Sequence, residues 1–226
     1  MNNRQILIID RGDKLKTDQR KYYEEKTKIF GKICVNLGLS ANVLSLIGTL
    51  FGLLAGIFIW IDRFIFALLS LLASGVFDIL DGATARYSKT CSPFGTLFDR
   101  VNDRYVEFFI ALGCMGSDRV HPFWVVFSIT GIFMASYVRA CAESAGKVRN
   151  CDIGLMGRKE KAIVFSIGLL LEPILNPSGL EAVSLNPLIF LNKDGVLILQ
   201  SLIILVGLLS HITAYQRLRF AKKHGH

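Results

Sequence analysis

The feature that most constrains this fold is a series of apolar runs long enough to cross a lipid bilayer. The run Val43–Ile61 holds 19 consecutive residues without a charge, and a helix of about 20 apolar residues spans the hydrocarbon core. Hydrophobic residues make up 52% of the 226-residue chain, whereas charged residues make up 19%. Because a soluble domain of this size cannot bury so much apolar surface, the sequence predicts an all-α integral membrane protein.

Six transmembrane helices are predicted from these runs. They are Val43–Ile61, a helix that begins with Phe64–Phe77, a helix that begins near Phe94 or Gly95 and includes Tyr105–Gly116, and the runs Phe123–Val138, Ala162–Leu171 and Val196–Tyr215. Together they form one predicted domain over residues 41–226. Six crossings would place both ends of this domain on the same side of the membrane.

The first 40 residues are polar and mixed in charge, and they predict a separate cytoplasmic and juxtamembrane segment. Within it, Tyr22–Ile33 has weak helical periodicity, which favours an amphipathic helix lying along the membrane surface. No cationic stretch leads directly into an apolar core at the start of the sequence, so a signal peptide is not expected.

The basic residues are distributed unevenly between the two sides that six crossings would create. Of the 26 Lys and Arg residues, 23 fall in the N-terminal segment, the second and fourth loops and the C-terminal tail; the others are Arg63, Arg119 and Lys193. Cytoplasmic loops are enriched in Lys and Arg, so the termini and these two loops are predicted to face the cytoplasm. This arrangement, with attraction to anionic membrane lipid, accounts for the net charge of +8 without a nucleic-acid partner.

Four aspartates are concentrated at the cytoplasmic ends of the second and third predicted helices. Asp78 and Asp81 are three residues apart and share one helix face. Asp99 and Asp103 are four apart and share a face of the next helix. An antiparallel hairpin of the two helices would bring the four carboxylates together, and like charges so close require cations. Hard oxygen ligands suit Mg²⁺ or Mn²⁺, so the spacing predicts two metal ions that would bind a diphosphate.

The same stretch carries a motif of eight defined residues over 26 positions. In chain order they are Asp78, Asp81, Gly82, Ala85, Arg86, Gly95, Asp99 and Asp103. The motif resembles the signature of the CDP-alcohol phosphotransferase family at each of its defining positions. The resemblance extends to the general plan of the chain, a polar N-terminal segment followed by six helices. It implies an enzyme that transfers a substituted phosphate from a CDP-linked donor to an alcohol and releases CMP.

The resemblance also implies roles for the four aspartates and for the residues that contact the donor. Asp78, Asp81 and Asp99 would hold a first divalent ion. Asp78, Asp99 and Asp103 would hold a second, and Asp103 would be the general base for the acceptor hydroxyl. The residues expected to bind the CDP donor are Ala41, Asn42, Gly82, Arg86 and Ser92. For the segment before the first span, a plain structural interpretation is as good, because Ser40 is suited to cap a helix.

Three other interpretations of the acids predict different arrangements. The acids could pair with Arg86, Arg100 and Arg104 at the membrane surface, since charged residues commonly flank spans. An intramembrane prenyltransferase also uses Asp clusters and Mg²⁺, but its Asp-rich motifs lie on distant helices rather than on one hairpin. A divalent-cation transporter predicts acids near mid-membrane on several helices, whereas these lie at one end. The spacing on one hairpin favours the enzyme.

A second segment, Ser136–Glu143 with the basic loop that follows it, bears on the alcohol acceptor. It resembles the inositol-phosphate branch of the family, the phosphatidylinositol phosphate and archaetidylinositol phosphate synthases, although Cys141 stands where Arg is common. A phosphorylated acceptor is a polyanion that a basic pocket would hold. Arg139, Arg158 and Lys161 are therefore predicted to bind the acceptor phosphate. Each of these cations taken alone is as well explained as a loop charge near lipid headgroups.

The predicted function is metal-dependent transfer of a phosphatidyl-type group from a CDP-linked lipid to inositol 1-phosphate, in phospholipid synthesis. The family resemblance makes a homodimer the expected assembly. Glycerol 3-phosphate, which would need a similar basic pocket, and serine, which would need one less, are alternative acceptors. CDP-inositol, a soluble donor, is an alternative to the CDP-lipid and would give a di-inositol phosphate.

Overall fold

Seven helices make up most of the chain that the computed structural model describes, residues 26–145, 148, 151–176, 191–192, 195–196 and 198–224. The helices are α1 over residues 26–36, α2 (Ala41–Trp60), α3 (Phe64–Tyr87), α4 (Pro93–Gly116), α5 (Pro122–Ser144), α6 (Arg158–Leu175) and α7 (Ile198–His224). Two short antiparallel strands, β1 (Leu191–Asn192) and β2 (Gly195–Val196), precede α7. The six predicted apolar runs correspond to α2 through α7.

Four of these helices are long and apolar enough to cross a membrane, judged by length and composition. They are α2, α3, α5 and α7, whose apolar windows have mean hydropathies from 1.6 to 2.2. Helix α4 carries five charged residues between Asp99 and Glu107, and α6 opens with four charged residues from Arg158 to Lys161. These charges keep α4 and α6 out of the group. The structure therefore supports an all-α integral membrane protein.

A short connection joins α3 to α4, so the charged parts of the two helices are separated by only a few residues. Helix α3 continues past its apolar part to Tyr87, and Lys89 then adopts a left-handed backbone conformation with φ of 56°. A residue in that conformation is a common helix stop. Ser92 accepts a hydrogen bond from the amide of Gly95 at 3.0 Å and so caps α4, with Pro93 at its first position.

Small residues of α2 allow close packing inside the chain. A Cβ at Gly48 would lie 3.2 Å from the Cβ of Phe77 on α3. A Cβ at Gly56 would overlap the carbonyl of Phe109 on α4. Packing without side chains is common where membrane helices approach closely. The glycines of the first predicted span therefore serve contacts within one chain.

The chain divides into two compact units, and the first comprises the described residues of Met1–Thr49 and Ala73–Asn102. Within this unit α1 packs closely on α3, because a side chain at Gly31 would overlap the carbonyl of Ala83. The predicted surface helix Tyr22–Ile33 begins outside the described residues, and the part of it from residue 26 onward is helical.

The second unit comprises Leu50–Leu72 and the described residues of Asp103–His226. Here α5 and α6 both pack against α7. The buried apolar core of this unit consists of Ile59, Phe64, Ala67, Cys114, Val120, Val125, Leu169, Leu199 and Ile203. In a membrane protein such side chains stabilise helix packing mainly through van der Waals contacts.

A buried acid fixes the C-terminal end of α6 within the second unit. Glu172 has no exposed surface, and its carboxylate accepts hydrogen bonds from the side chains of Arg119 at 3.4 Å and Asn176 at 3.1 Å. The same carboxylate accepts the backbone N–H of Leu199, in the first turn of α7, at 2.9 Å. A buried charge is tolerated when it is paired and hydrogen-bonded, as here. The network holds the end of α6 against the start of α7.

Candidate active site

Three of the four predicted metal ligands come together in the structure. Asp99 and Asp103 lie one turn apart on α4, and Asp78 lies on α3. Each offers one carboxylate oxygen, and the three oxygens lie within 4.8 Å of one another. All three residues are partly buried, so solvent and salt screen their charges less than they screen those of exposed acids.

The chemistry of this cluster suits a hard divalent cation. Mg²⁺ and Mn²⁺ prefer oxygen ligands, and carboxylates are the protein groups that supply them with compensating charge. Three carboxylates at this separation repel one another, and a cation bound among them would remove the repulsion. The donor set of Asp78, Asp99 and Asp103 therefore fits the predicted metal.

Asp81, the fourth predicted ligand, makes a different contact within the first unit. Its side chain is buried, and its Oδ2 accepts a hydrogen bond from the hydroxyl of Ser45 on α2 at 2.5 Å. Asp78 and Asp99 lie close enough for their charges to act on it. Sequence reasoning misses Ser45, because no spacing rule connects two residues that are 36 positions apart. The direct role of Asp81 in metal binding stays a prediction.

Gly82 and Arg86 lie side by side on α3, as their spacing of four residues requires. A Cβ on Gly82 would stand 3.0 Å from Nη1 of Arg86, so the missing side chain gives the guanidinium room to lie along the helix. Arg86 is exposed and belongs to the last turn of α3, where a positive charge is favourable.

The remaining predicted donor residues lie at helix starts. Ser92 caps α4, and Ser40 caps α2 by accepting a hydrogen bond from the amide of Val43 at 3.4 Å. The structural interpretation of Ser40 is thereby confirmed. Ala41 is the first residue of α2, and Asn42, which follows it, is exposed. Contact of Ala41, Asn42 or Ser92 with a nucleotide stays a prediction.

The proposed base, Asp103, forms an ion pair with one of the predicted acceptor residues. Nη2 of Arg158, the first residue of α6, lies 2.5 Å from Oδ1 of Asp103. The Asp103 side chain is 13% exposed and that of Arg158 is 49% exposed. The accessible guanidinium therefore lies directly beside an enclosed carboxylate, where it can bind an anion close to that carboxylate.

The second predicted acceptor residue, Lys161, binds an acid of α4. Its ammonium donates a hydrogen bond to Oε1 of Glu107 at 2.7 Å. The other carboxylate oxygen of Glu107 lies within ion-pair distance of Nη1 of Arg104, at 2.7 Å, but that nitrogen donates its hydrogen bond to the hydroxyl of Ser136 at 2.6 Å. Glu107 lies one turn beyond Asp103, so the sequence predicts that both share one helix face. The sequence does not indicate which cations lie close to Glu107.

The third predicted acceptor residue, Arg139, belongs to a separate group at the end of α5. Its Nε donates to Glu143 at 2.9 Å, and its Nη1 donates to Asp152 at 2.8 Å. Nη2 of Arg217, on α7, lies 4.0 Å from the same oxygen of Asp152. Two arginines and two acids therefore meet here. Sequence reasoning misses Arg217, because it counts there only as one of the basic tail residues.

The loop between α5 and α6, which carries Asp152, is fastened to α7. Arg217 donates from Nε to the carbonyl of Ile153 at 2.8 Å and from Nη1 to the carbonyl of Ala135 at 2.7 Å. The amide of Met156 donates to the hydroxyl of Thr213 at 3.0 Å. The bonds to Ile153 and Met156 hold the part of the loop after residue 150 against α7, and the bond to Ala135 joins α7 to α5.

Comparison with known proteins identifies the family. The chain matches the family model described as CDP-alcohol phosphatidyltransferase over residues 38–206. A relative from Pyrococcus horikoshii, named archaetidylinositol phosphate synthase, is 34% identical over 199 residues, which cover 85% of this chain and 89% of that protein. This chain belongs to the CDP-alcohol phosphatidyltransferase family. The comparison confirms both the family and the transferase class that the aspartate motif predicts.

Solved structures share the fold of this phosphatidyltransferase. The crystal structure of Mycobacterium tuberculosis phosphatidylinositol phosphate synthase with CDP-DAG bound has a TM-score of 0.71 and 21% identity, and covers 86% of this chain and 92% of that one. The structure of the same enzyme in complex with manganese and citrate has a TM-score of 0.70, also at 21% identity, and covers 87% of this chain and 88% of that one. At this identity the likeness shows the fold alone.

Proposed function

We propose that this phosphatidyltransferase moves a phosphatidyl-type group from a CDP-linked lipid to inositol 1-phosphate, with release of CMP. The observation that carries the proposal is the cluster of Asp78, Asp99 and Asp103, with Arg158 bound to Asp103. It combines ligands for a divalent cation, a base and an anion-binding cation. The names of the Pyrococcus relative and of the mycobacterial enzyme, both synthases of inositol phosphate lipids, support the choice of acceptor.

The residues of the chain would divide the reaction between them. Asp103 would accept the proton of the acceptor hydroxyl, whose oxygen then attacks the β-phosphorus of the CDP-lipid. The bond between the β-phosphorus and the bridging anhydride oxygen breaks, and CMP leaves with that oxygen and the electron pair. Arg86, exposed at the end of α3, would bind the diphosphate, and Gly82 would leave space beside it.

The four aspartates Asp78, Asp81, Asp99 and Asp103 would hold two ions of Mg²⁺ or Mn²⁺. Bound there, the ions would neutralise the charge of the diphosphate as the bond to CMP breaks. The hydroxyl of Ser45 would orient the carboxylate of Asp81, in the way that outer hydrogen bonds orient metal ligands. Manganese in the structure of the mycobacterial enzyme supports this choice of ion.

The acceptor phosphate would bind to the basic side chains at the cytoplasmic ends of α5 and α6. Arg158 is the best placed, because it is accessible and lies beside Asp103. Lys161 and Arg139 would contribute positive charge, although each is already bound to an acid. Glycerol 3-phosphate carries the same phosphate and would use the same cations. Serine, which has no phosphate, would gain less from them.

We also propose how the helices are arranged in the membrane. All six helices α2 to α7 would cross the membrane, with α1 along its surface and both termini and the active site on the cytoplasmic side. The excess of Lys and Arg in the second and fourth loops supports this orientation. The protein would act as a homodimer surrounded by membrane lipid, as the family resemblance implies, and its mass in detergent solution checks that assembly.

The experiment that tests the function is release of CMP by purified protein with Mg²⁺ or Mn²⁺ and a CDP-lipid. Inositol 1-phosphate, glycerol 3-phosphate, serine and free inositol are compared as acceptors, and CDP-inositol is compared as a donor. Release that requires both the metal and inositol 1-phosphate is the expected result. Release with another acceptor would keep the transferase chemistry and overturn the choice of alcohol.

Asp103→Asn tests the role of the base in the same assay. The substitution keeps the shape of the side chain but removes the proton acceptor, so CMP release is expected to fall by about 10²- to 10⁴-fold. Asp118→Asn, at an exposed aspartate between α4 and α5, is the matched control and should leave the rate unchanged. If Asp103→Asn protein melts like the parent and still turns over at the parent rate, Asp103 is not the base.

A further inference from the structure

Two ion pairs, one helical turn apart, join helices α4 and α6. The first pair joins Asp103 and Arg158 at 2.5 Å, and the second joins Glu107 and Lys161 at 2.7 Å. The two acids are four residues apart on α4 and the two cations are three apart on α6, so each pair of residues shares one face of its helix. The facing surfaces of the two helices are therefore matched in charge over one full turn.

The two pairs differ in how far water reaches them. In the first pair the Arg158 side chain is 49% exposed. In the second, the side chains of Glu107 and Lys161 are 18% and 14% exposed. The Asp103 side chain of the first pair is 13% exposed, so the two pairs differ in the exposure of their cations. A solvated cation leaves its partner at a lower cost than an enclosed cation, which would be poorly solvated once separated. Arg158 can therefore turn toward an incoming anion while the second pair stays closed.

The carboxylate of Glu107 lies beside cations of both helices, Arg104 of α4 and Lys161 of α6. Its Oε1 receives the hydrogen bond of Lys161, whereas Oε2 is buried within ion-pair distance of Arg104 and makes no hydrogen bond in the part of the chain that the structure describes. The same nitrogen of Arg104 donates to Ser136 instead. The directional bond of Glu107 thus goes to α6, and Arg104 adds attraction without competing for Oε1. This geometry makes Lys161 the partner whose position depends most on Glu107.

We propose that Glu107 is a positioning residue for the acceptor, which acts through Lys161 on the first turn of α6. By holding Lys161, Glu107 would keep that turn in register with α4 and keep Arg158 beside Asp103, where an acceptor phosphate would bind. The inference rests on the proposed function, because it assumes a phosphorylated acceptor at Arg158. Glu107 itself lies outside the group of three aspartates and does not need to touch a substrate.

The test is the kinetics of Glu107→Gln, which keeps the shape of the side chain and removes its charge. The KM for inositol 1-phosphate is expected to rise by about tenfold, the size expected for one lost charge-assisted hydrogen bond. The kcat and the KM for the CDP-lipid should stay within about twofold of the parent, because the groups that react are intact. Glu107→Asp, which retains the charge on a shorter side chain, should recover part of the lost affinity.

Glu160→Gln is the matched control, since it removes one exposed negative charge from the same first turn of α6. Its acceptor KM should equal that of the parent, whereas an equal rise in both variants would mean that only the local charge matters and would overturn the proposal. A merely structural role of Glu107 predicts less active protein, and therefore a lower kcat with an unchanged acceptor KM. That pattern would also overturn the proposal. Should Glu107→Gln fail to fold, Glu107→Asp decides: a smaller rise in the acceptor KM with an unchanged kcat supports the proposal, and an acceptor KM equal to that of the parent overturns it.

The outcome is separable from that of the proposed function. If the parent protein uses inositol 1-phosphate and Glu107→Gln leaves its KM unchanged, the positioning role alone is wrong. If the parent uses a different alcohol, the proposed acceptor is wrong, and the variants are measured with that alcohol under the same criteria. If the parent releases no CMP with any acceptor, both proposals are wrong.

Discussion

A methyl group added at Gly82 should change donor binding without disturbing the fold, whereas most substitutions near a site change both. The three atoms nearest to a Cβ there belong to the flexible end of the Arg86 side chain, the closest being Nη1 at 3.0 Å, so the fold has room to accept it. Gly82→Ala should raise the KM for the CDP donor by about tenfold, a typical effect of one added carbon in a substrate pocket. Kinetics at varied donor concentration measure the change.

Gly75→Ala is the matched control on the same helix, because a Cβ at Gly75 would meet nothing within 4 Å. Both substitutions replace a helical glycine and should each stabilise α3 by about 0.5–1 kcal/mol. Melting temperatures of the two variants should therefore rise together, whereas the donor KM should change only for Gly82→Ala. An unchanged donor KM in Gly82→Ala protein would argue against a donor site beside Arg86.

At the scale of the elements, the loop between α5 and α6 depends on a glycine. Gly154 has φ of 129°, and a Cβ on it would overlap the side chain of Thr213 on α7. Gly154→Ala is expected to destabilise the protein by about 1–3 kcal/mol, because L side chains rarely adopt this conformation. It should also raise the acceptor KM, since Asp152 lies in this loop and accepts a hydrogen bond from Arg139 of α5. Thermal melting and acceptor kinetics check both effects.

Leu155→Ala provides the comparison for that prediction, because it alters the neighbouring residue, whose side chain is 58% exposed. Its melting temperature and its acceptor KM should match those of the parent. If Gly154→Ala lowers the melting temperature without changing the acceptor KM, the loop stabilises the fold but does not shape the acceptor site.

The helices could be predicted from the sequence, but most contacts between them could not. Uncharged runs identify α2 and α3, because the bilayer imposes a helix on every apolar span. The pairs of aspartates share a helix face by spacing alone. The hydrogen bond from Ser45 to Asp81 and the bond from Lys161 to Glu107 join residues 36 and 54 positions apart. A sequence with 26 basic residues does not indicate which cation reaches which acid.

At the scale of the whole molecule, the placement of α4 decides the topology. Its charged residues keep it out of the group of four helices that qualify as spans by composition. If α4 crosses the membrane, the loops at its two ends lie on opposite sides, as six spans require. If α4 does not cross, both loops lie on the same side. The apolar second half of α4, from Phe108 to Met115, favours a crossing whose charged half faces the cytoplasm.

Cysteine labelling with a membrane-impermeant maleimide distinguishes the two topologies. Cys91, between α3 and α4, is exposed and should react in inverted vesicles but not in intact cells. Asp118→Cys, made in a Cys91→Ser background, places a thiol on an exposed residue between α4 and α5, and it should react in intact cells. Cys151 should remain unlabelled in both, because burial raises the pKa of its thiol and limits access to it.

Each pattern of labelling has a distinct physical meaning. Opposite labelling of the two positions, with Cys91 inside, supports six spans and a cytoplasmic cluster of Asp78, Asp99 and Asp103. Labelling of both positions from the cytoplasmic side would mean that α4 does not cross the bilayer and that the six-span arrangement is wrong. Labelling of Cys91 from outside the cell would mean that the protein has the opposite orientation in the membrane. The reversed case would place the basic loops on the side that the distribution of Lys and Arg disfavours.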